Sequence, residues 1–206
     1  MGRNQKKLQV RNRFYILTNG KETEKNYFDL IKCKKSIYDV RIEYHNDSPY
    51  KLVKHGTTLC DANQVWCVFD IDNTMDEKSL IPALELASES NVQIAFSNMA
   101  FEVWLLSHFD KIERNMDNKQ LIREMNNLLK KKLSLDLEYD KADKDLLKKY
   151  FIPSYKTATE NAKIVHQKYI AAHEKKYHGN KDYRIWEWNS CTNVYKLIEA
   201  LQLTKV

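Results

Sequence analysis

The chain has 206 residues, 43% hydrophobic and 11% aromatic, which excludes a disordered protein and suffices for one cored domain with room for an appended lobe. No apolar run approaches membrane-spanning length, and residues 1–13 lack the apolar centre of a signal peptide, so no membrane association is expected. The net charge of +6 is modest, and the four cysteines (Cys33, Cys60, Cys67, Cys191) have no CxxC spacing, so neither a zinc site nor a disulfide framework is expected and a reducing cytoplasm is the default location.

In chain order, residues 1–12 form a basic arm carrying Arg3, Lys6, Lys7 and Arg11 without an acid. Arg13 to Thr18 reads as a strand and Thr23 to Lys34 as a helix. Tyr38 to His45 alternates apolar and polar residues, and Pro49 to Ala62 has helical character. Val65 to Asp70 is a short apolar run and predicts a buried strand. Thr74 and Glu77 have the spacing of a capping box, while Ser79 with Pro82 offers a later helix start. Val92 to Ser97 predicts a fourth strand, and Ala100 to Phe109 an apolar helix.

Beyond Asp117 the strand signal fades. Asp117 to Lys132 predicts a helix, Thr157 and Glu160 open a long one, and Val194, Leu197, Ile198 and Leu201 mark a last one with Thr192 as its cap. The order βαβαβαβα predicts an α/β fold, a mostly parallel four-stranded sheet with helices on both faces. With only four Gly and three Pro there is no linker, so a core over 13–110 and a helical C-terminal extension over 111–206 are expected to pack together.

Side chains two apart on a strand share a face, so Asp70 and Asp72 are expected to project together at the carboxyl end of theirs. Ligands bind at that edge of open α/β sheets, and paired carboxylates suit a hard cation such as Mg²⁺ or Mn²⁺. The plainer reading is one helix cap and one solvated acid. Two further loops converge there: Thr18-Asn19-Gly20-Lys21-Glu22-Thr23-Glu24, and Ser97-Asn98-Met99-Ala100-Phe101-Glu102. Glu24 falls in a first helical turn, where the dipole favours a carboxylate. Glu102 stands in an apolar helix start and needs a partner if buried. Lysines and aromatics interleave from Lys130-Lys131-Lys132 to Tyr183, a pattern that suits a nucleic-acid backbone and equally a solvated helix face. The six histidines show no metal spacing, and His108 in its Leu-rich helix reads as a core residue.

Four blocks carry a family resemblance: Gly20, Thr23, Glu24, Tyr27 and Phe28; the Asp70-x-Asp72 strand; Ser97-Asn98-x-x-Phe101-Glu102-x-Trp104-x-Leu106-x-His108-Phe109; and Asn189-Ser190-x-Thr192-x-Val194-Tyr195-x-Leu197. Together they resemble the RloB-like family, itself similar to a variant of the TOPRIM domain of topoisomerases, primases and overcoming-lysogenization-defect nucleases. The resemblance implies a TOPRIM-like fold and a Mg²⁺- or Mn²⁺-dependent phosphodiesterase acting on RNA or DNA in phage defence, often beside an ATPase partner and compatible with a homo-oligomer. It implies a metal set of Asp70, Asp72, Glu24, Asn19, Ser97 and Glu102, with Lys141 neutralising the transition state. Lys141, Asn189, Thr192, Arg11 and Arg13 would meet nucleic acid. The family's first loop usually reads Glu-Gly-Glu-x-Thr-Glu; here Asn19 and Lys21 replace its first two acids, and an amide supplies a neutral ligand but no base.

Two other readings remain. Phe69-Asp70-Ile71-Asp72-Asn73-Thr74 also resembles the haloacid-dehalogenase phosphatase signature, in which Asp70 would be a nucleophile and Asp72 a general acid/base. That signature normally opens the first strand, whereas two βα units precede it here, and no late acidic pair follows an apolar strand. The substitution at Asn19 favours the second, a TOPRIM-like binding or regulatory module without catalysis.

Overall fold

A computed structural model describes residues 12–32, 36–71 and 77–203. Five strands form one sheet in the order β2-β1-β3-β4-β5: β1 (Arg13–Thr18), β2 (Asp39–Tyr44), β3 (Gln64–Asp70), β4 (Val92–Asn98) and β5 (Cys191–Thr192). The first four are parallel, as expected. The four-stranded expectation is corrected by β5, which runs antiparallel to β4 with Ser97 opposite Thr192. A two-residue strand has too few positions to show alternation in sequence.

Alternation along the central strands divides the core. Phe14, Ile16, Trp66 and Val68 face α1 (Thr23–Ile31) and α4 (Glu102–Ser107). Tyr15, Leu17, Val65, Cys67 and Phe69 face α2 (Pro49–Gly56) and α3 (Glu77–Ser88). Both faces are thereby covered, as parallel strands require. Trp104 and Leu105 are fully buried, and truncating such a residue costs about 3–5 kcal/mol.

Helix α2 ends at Gly56, short of the expected Ala62. The Thr57 and Thr58 hydroxyls donate to the Lys54 and His55 carbonyls at 2.8 and 2.7 Å, which competes with continued helix. Asp117 caps α5 (Asn118–Asn127) in a full capping box with Gln120, and the chain continues through a wider π-turn, Leu128–Lys132. Beyond it, α6 (Lys144–Leu146) runs through further helical turns into α7 (Tyr155–Lys176), which begins two residues before the expected Thr157. The last helix is α8 (Val194–Ala200), and Thr192 Oγ1 accepts from Val194 N at 3.3 Å although Asn193 holds the cap position. Leu121, Met125, Leu147, Ala158 and Val194 from beyond residue 111 share one buried cluster with Phe14 and Trp66. No helix among the described residues is long and apolar enough to cross a membrane.

Candidate functional site

The strand order fixes where a ligand can sit. From β1 the chain moves to β2 on one side, and β3 lies on the other side of β1. Helix α1 leaves β1 onto one face, while α3 follows β3 onto the opposite face. The carboxyl ends of β1 and β3 therefore flank a crevice, the topological switch point of the sheet.

A cleft of about 390 Å³ opens there, lined by Asn19, Gly20, Glu24, Asp70 and Lys141 among others. Asn19 N donates to Val68 O at 3.3 Å and ties the loop to β3, while Thr18 Oγ1 accepts from Gly20 N at 3.0 Å. A side-chain carbon on Gly20 would overlap the Glu24 carboxyl, so glycine here leaves the space that this carboxyl occupies. Glu24 and Glu102 occupy the first turns of α1 and α4, and Glu102 is 1% exposed.

Lys141 reaches in from the segment before α6, its Nζ 2.9 Å from Glu102 Oε1. The Tyr139 hydroxyl donates to the same oxygen at 3.2 Å. Thr23 Oγ1 donates to Lys141 O at 3.1 Å and anchors that segment on α1. Burial raises the Glu24 carboxyl to about 7, assisted by the charge of Glu102 and opposed by a backbone hydrogen bond and Lys141. Burial alone would lower the Lys141 ammonium, but Glu102, Asp70 and Glu24 outweigh it and hold it raised. Burial and then the Glu102 charge push the Tyr139 phenol up, so it stays a donor.

The donor set fits a hard divalent cation. Glu24 and Asp70 offer oxygen ligands on the cleft and Glu102 lies beside them across Lys141, and Glu24, its carboxyl raised to about 7 by burial, is a group that an incoming cation would ionise. Asp70 is half-buried at the end of β3, on the face of Trp66 and Val68. Asp72 and Arg11, with the rest of the basic arm over 1–11, lie outside the described residues, as do Thr74 of the expected capping box and Cys33.

Other expected site residues serve internal contacts. The buried Ser97 hydroxyl lies 3.0 Å from Thr192 Oγ1, which donates to Phe96 O at 2.8 Å. Asn189 Oδ1 accepts from Met116 N at 3.1 Å and its Nδ2 donates to Met116 O at 3.0 Å. These groups fasten β5 and the preceding loop to the core. Arg13 pairs with Asp61 at the amino end of β1, the edge opposite the cleft. Several interleaved lysines lie over neighbouring rings, among them Lys149 at 5.0 Å from the Tyr150 centroid and Lys176 at 4.8 Å from that of Tyr177. His108 is a satisfied core residue, with Nε2 3.0 Å from the Tyr27 hydroxyl and Nδ1 facing the Trp104 and Leu105 carbonyls.

Tyr139 and the Thr23 anchor carry no sequence signal, because their partners lie 37 and 118 residues away. A larger hollow of about 640 Å³ lies between α4 and α5 beside Arg114, Lys131 and Lys132. Of its three acids, Glu124 and Glu113 are in surface ion pairs with Arg114 and Lys168, and Asp110 accepts from Lys111 N at 2.8 Å.

Fold and cleft together define an α/β protein of mostly parallel sheet with an acid-lined crevice at its switch point, a layout consistent with the TOPRIM-like arrangement. The chain belongs to the RloB-like protein family, whose model matches residues 14–201. No curated protein and no solved structure matches it significantly.

Proposed function

We propose that the protein is a Mg²⁺- or Mn²⁺-dependent phosphodiesterase acting on RNA or DNA. The observation that carries this reading is the convergence of Glu24, Asp70, Glu102 and Lys141 around the crevice between β1 and β3. Asp70, Glu24 and Glu102 would hold the cation, with Asp72 following in sequence and Asn19 offering a neutral oxygen. When bound, such a cation supplies charge neutralisation at a phosphodiester and a nucleophilic water at neutral pH. Lys141, steadied by Glu102, is placed to donate to a phosphate oxygen as charge develops. Glu24, raised to about 7, exchanges a proton near neutrality. Family membership supports a setting in phage defence with an ATPase partner.

The Asn19 position favours a second reading, a regulatory or nucleic-acid-binding module with weakened catalysis, since one carboxylate of the family pattern is absent. The experiment is a cleavage screen on tRNA, single-stranded RNA and DNA with Mg²⁺ or Mn²⁺, with and without the ATPase. Cleavage lost in Asp70→Asn supports the nuclease. Nucleic-acid binding with no cleavage in any condition supports the module. Hydrolysis of a simple phosphomonoester would point to the dehalogenase-like phosphatase instead.

A further inference from the structure

The last turn of α2 and the end of edge strand β2 bring together three side chains that the acidic cleft does not use. Glu43 lies in β2 and His45 one residue beyond its end, two positions on, and His55 comes from the last turn of α2. Glu43 lies beside Leu17 in register, and Leu17 belongs to the α2/α3 side of the sheet. Asp70 lies on the opposite side, so the trio is separate from the proposed catalytic crevice.

The trio's geometry resembles a ligand set more than an ordinary ion pair. His45 Nε2 is 3.4 Å and His55 Nε2 3.8 Å from the same oxygen, Glu43 Oε2, and all three donor atoms lie within 4.8 Å of one another. Two ligands about 2.1 Å from a tetrahedral zinc ion stand about 3.4 Å apart, so these separations need little adjustment. The imidazole rings are 4.4 Å apart at the centroids. His55 Nε2 is shielded from solvent and has no hydrogen-bond partner, although buried nitrogens are ordinarily satisfied. A cation placed between the three would satisfy it. It would also stabilise the juxtaposed imidazoles and carboxylate together.

We propose that Glu43, His45 and His55 form a transition-metal site, zinc by preference, with at least one coordination position left to water or a ligand. Two imidazoles and one carboxylate suit zinc-class ions over the Mg²⁺ or Mn²⁺ expected of an all-oxygen crevice. This is the only cluster of three such ligands among the described residues. The site would also stiffen the loop after β1: His45 N donates to Thr18 O at 2.9 Å, one residue before Asn19.

The test is titration of the chelator-stripped full chain with Zn²⁺ alone, in competition with a chromophoric chelator, and with Co²⁺ alone by absorption. We expect one Zn²⁺ per chain and a tetrahedral or five-coordinate Co²⁺ spectrum without a thiolate charge-transfer band. His45→Ala and His55→Ala should each weaken Zn²⁺ binding by at least about 100-fold. Asp70→Asn should leave it within about threefold. Circular dichroism of each variant identifies loss of fold, and Glu43→Gln, which keeps the side chain's shape, provides a second reading. The proposal is overturned if no Zn²⁺ binds, if the histidine variants bind it as well as wild type, if Asp70→Asn abolishes it, or if the Co²⁺ spectrum carries a thiolate band.

Discussion

The Lys141 ammonium lies 2.9 Å from Glu102 Oε1, yet the two partners differ sharply in exposure: 53% of the Lys141 side chain is accessible against 2% for Glu102. The pair spans 39 residues and ties the segment before α6 to the start of α4, so the lysine serves as an internal counter-ion at the crevice.

That asymmetry predicts unequal effects of removing either partner. Lys141→Ala leaves the buried Glu102 carboxylate without its ammonium partner, keeping the Tyr139 hydroxyl, and should destabilise by about 1–3 kcal/mol. Glu102→Gln leaves a half-exposed ammonium that water can solvate, and should cost under about 1 kcal/mol. Urea denaturation checks both values. Added Mg²⁺ should recover stability in Lys141→Ala, because a bound cation replaces the missing charge. Both variants should lower the cleavage rate by about 10²–10³-fold.

The Glu24 carboxyl, raised from the ordinary 4.5 to about 7, sets a pH dependence with a definite sign. Between those values the folded chain holds a proton that the unfolded chain has released, so stability falls as pH rises through this window. The contribution reaches about 3 kcal/mol above pH 7. Glu24→Gln should therefore be more stable than wild type at pH 8, with the difference gone near pH 4.5. Mg²⁺ affinity should rise about tenfold per pH unit up to pH 7. Calorimetry in buffers of different ionisation enthalpy would register the released proton.

Gly20→Ala should separate the site from the fold. Its new methyl group would overlap the Glu24 carboxyl, which is the mobile end of a side chain and can swing aside. Thermal stability should change by less than about 1 kcal/mol, while Mg²⁺ affinity drops at least about tenfold. Unchanged metal affinity would remove Glu24 from the ligand set.

Burial depresses His108 to about 4, against the effect of its bonds to the Trp104 and Leu105 carbonyls. Here the unfolded chain binds the extra proton, so stability is lost as pH falls from 6.5 toward 4, by up to about 3 kcal/mol. Glu24 acts in the opposite sense over much of the same range, so the wild-type profile should be flatter than that of Glu24→Gln. Tyr27→Phe removes the donor facing His108 Nε2 at 3.0 Å and should cost about 1–3 kcal/mol at pH 7. Denaturation series over pH 4–8 on wild type and Glu24→Gln separate the two contributions, and the pH 7 value for Tyr27→Phe checks the hydrogen bond.

Strand periodicity made β1 to β4 legible, because β1, β3 and β4 present apolar residues to two packed helical layers and the edge strand β2 alternates Val40 and Ile42 with charged residues. The same logic placed Asp70, Glu24 and Glu102 at one sheet edge, since chain order and βα connectivity fix which loops meet there. Local pattern and connectivity thus specified the parallel α/β frame and brought Glu24 and Asp70 to one cleft. The tertiary structure alone decided what joins distant segments: β5 against β4, Tyr139 and Lys141 on Glu102, and Thr23 on Lys141 O. It also decided that Asn189 and Thr192 spend polar atoms on the core. Glu43, His45 and His55 meet only because the chain after β2 turns α2 back across the sheet and brings its last turn beside Glu43, a juxtaposition no short spacing rule encodes. Local patterns record burial and periodicity, which are properties of one segment. A pairing between segments depends on loop paths and packing, and those exist only in the folded chain.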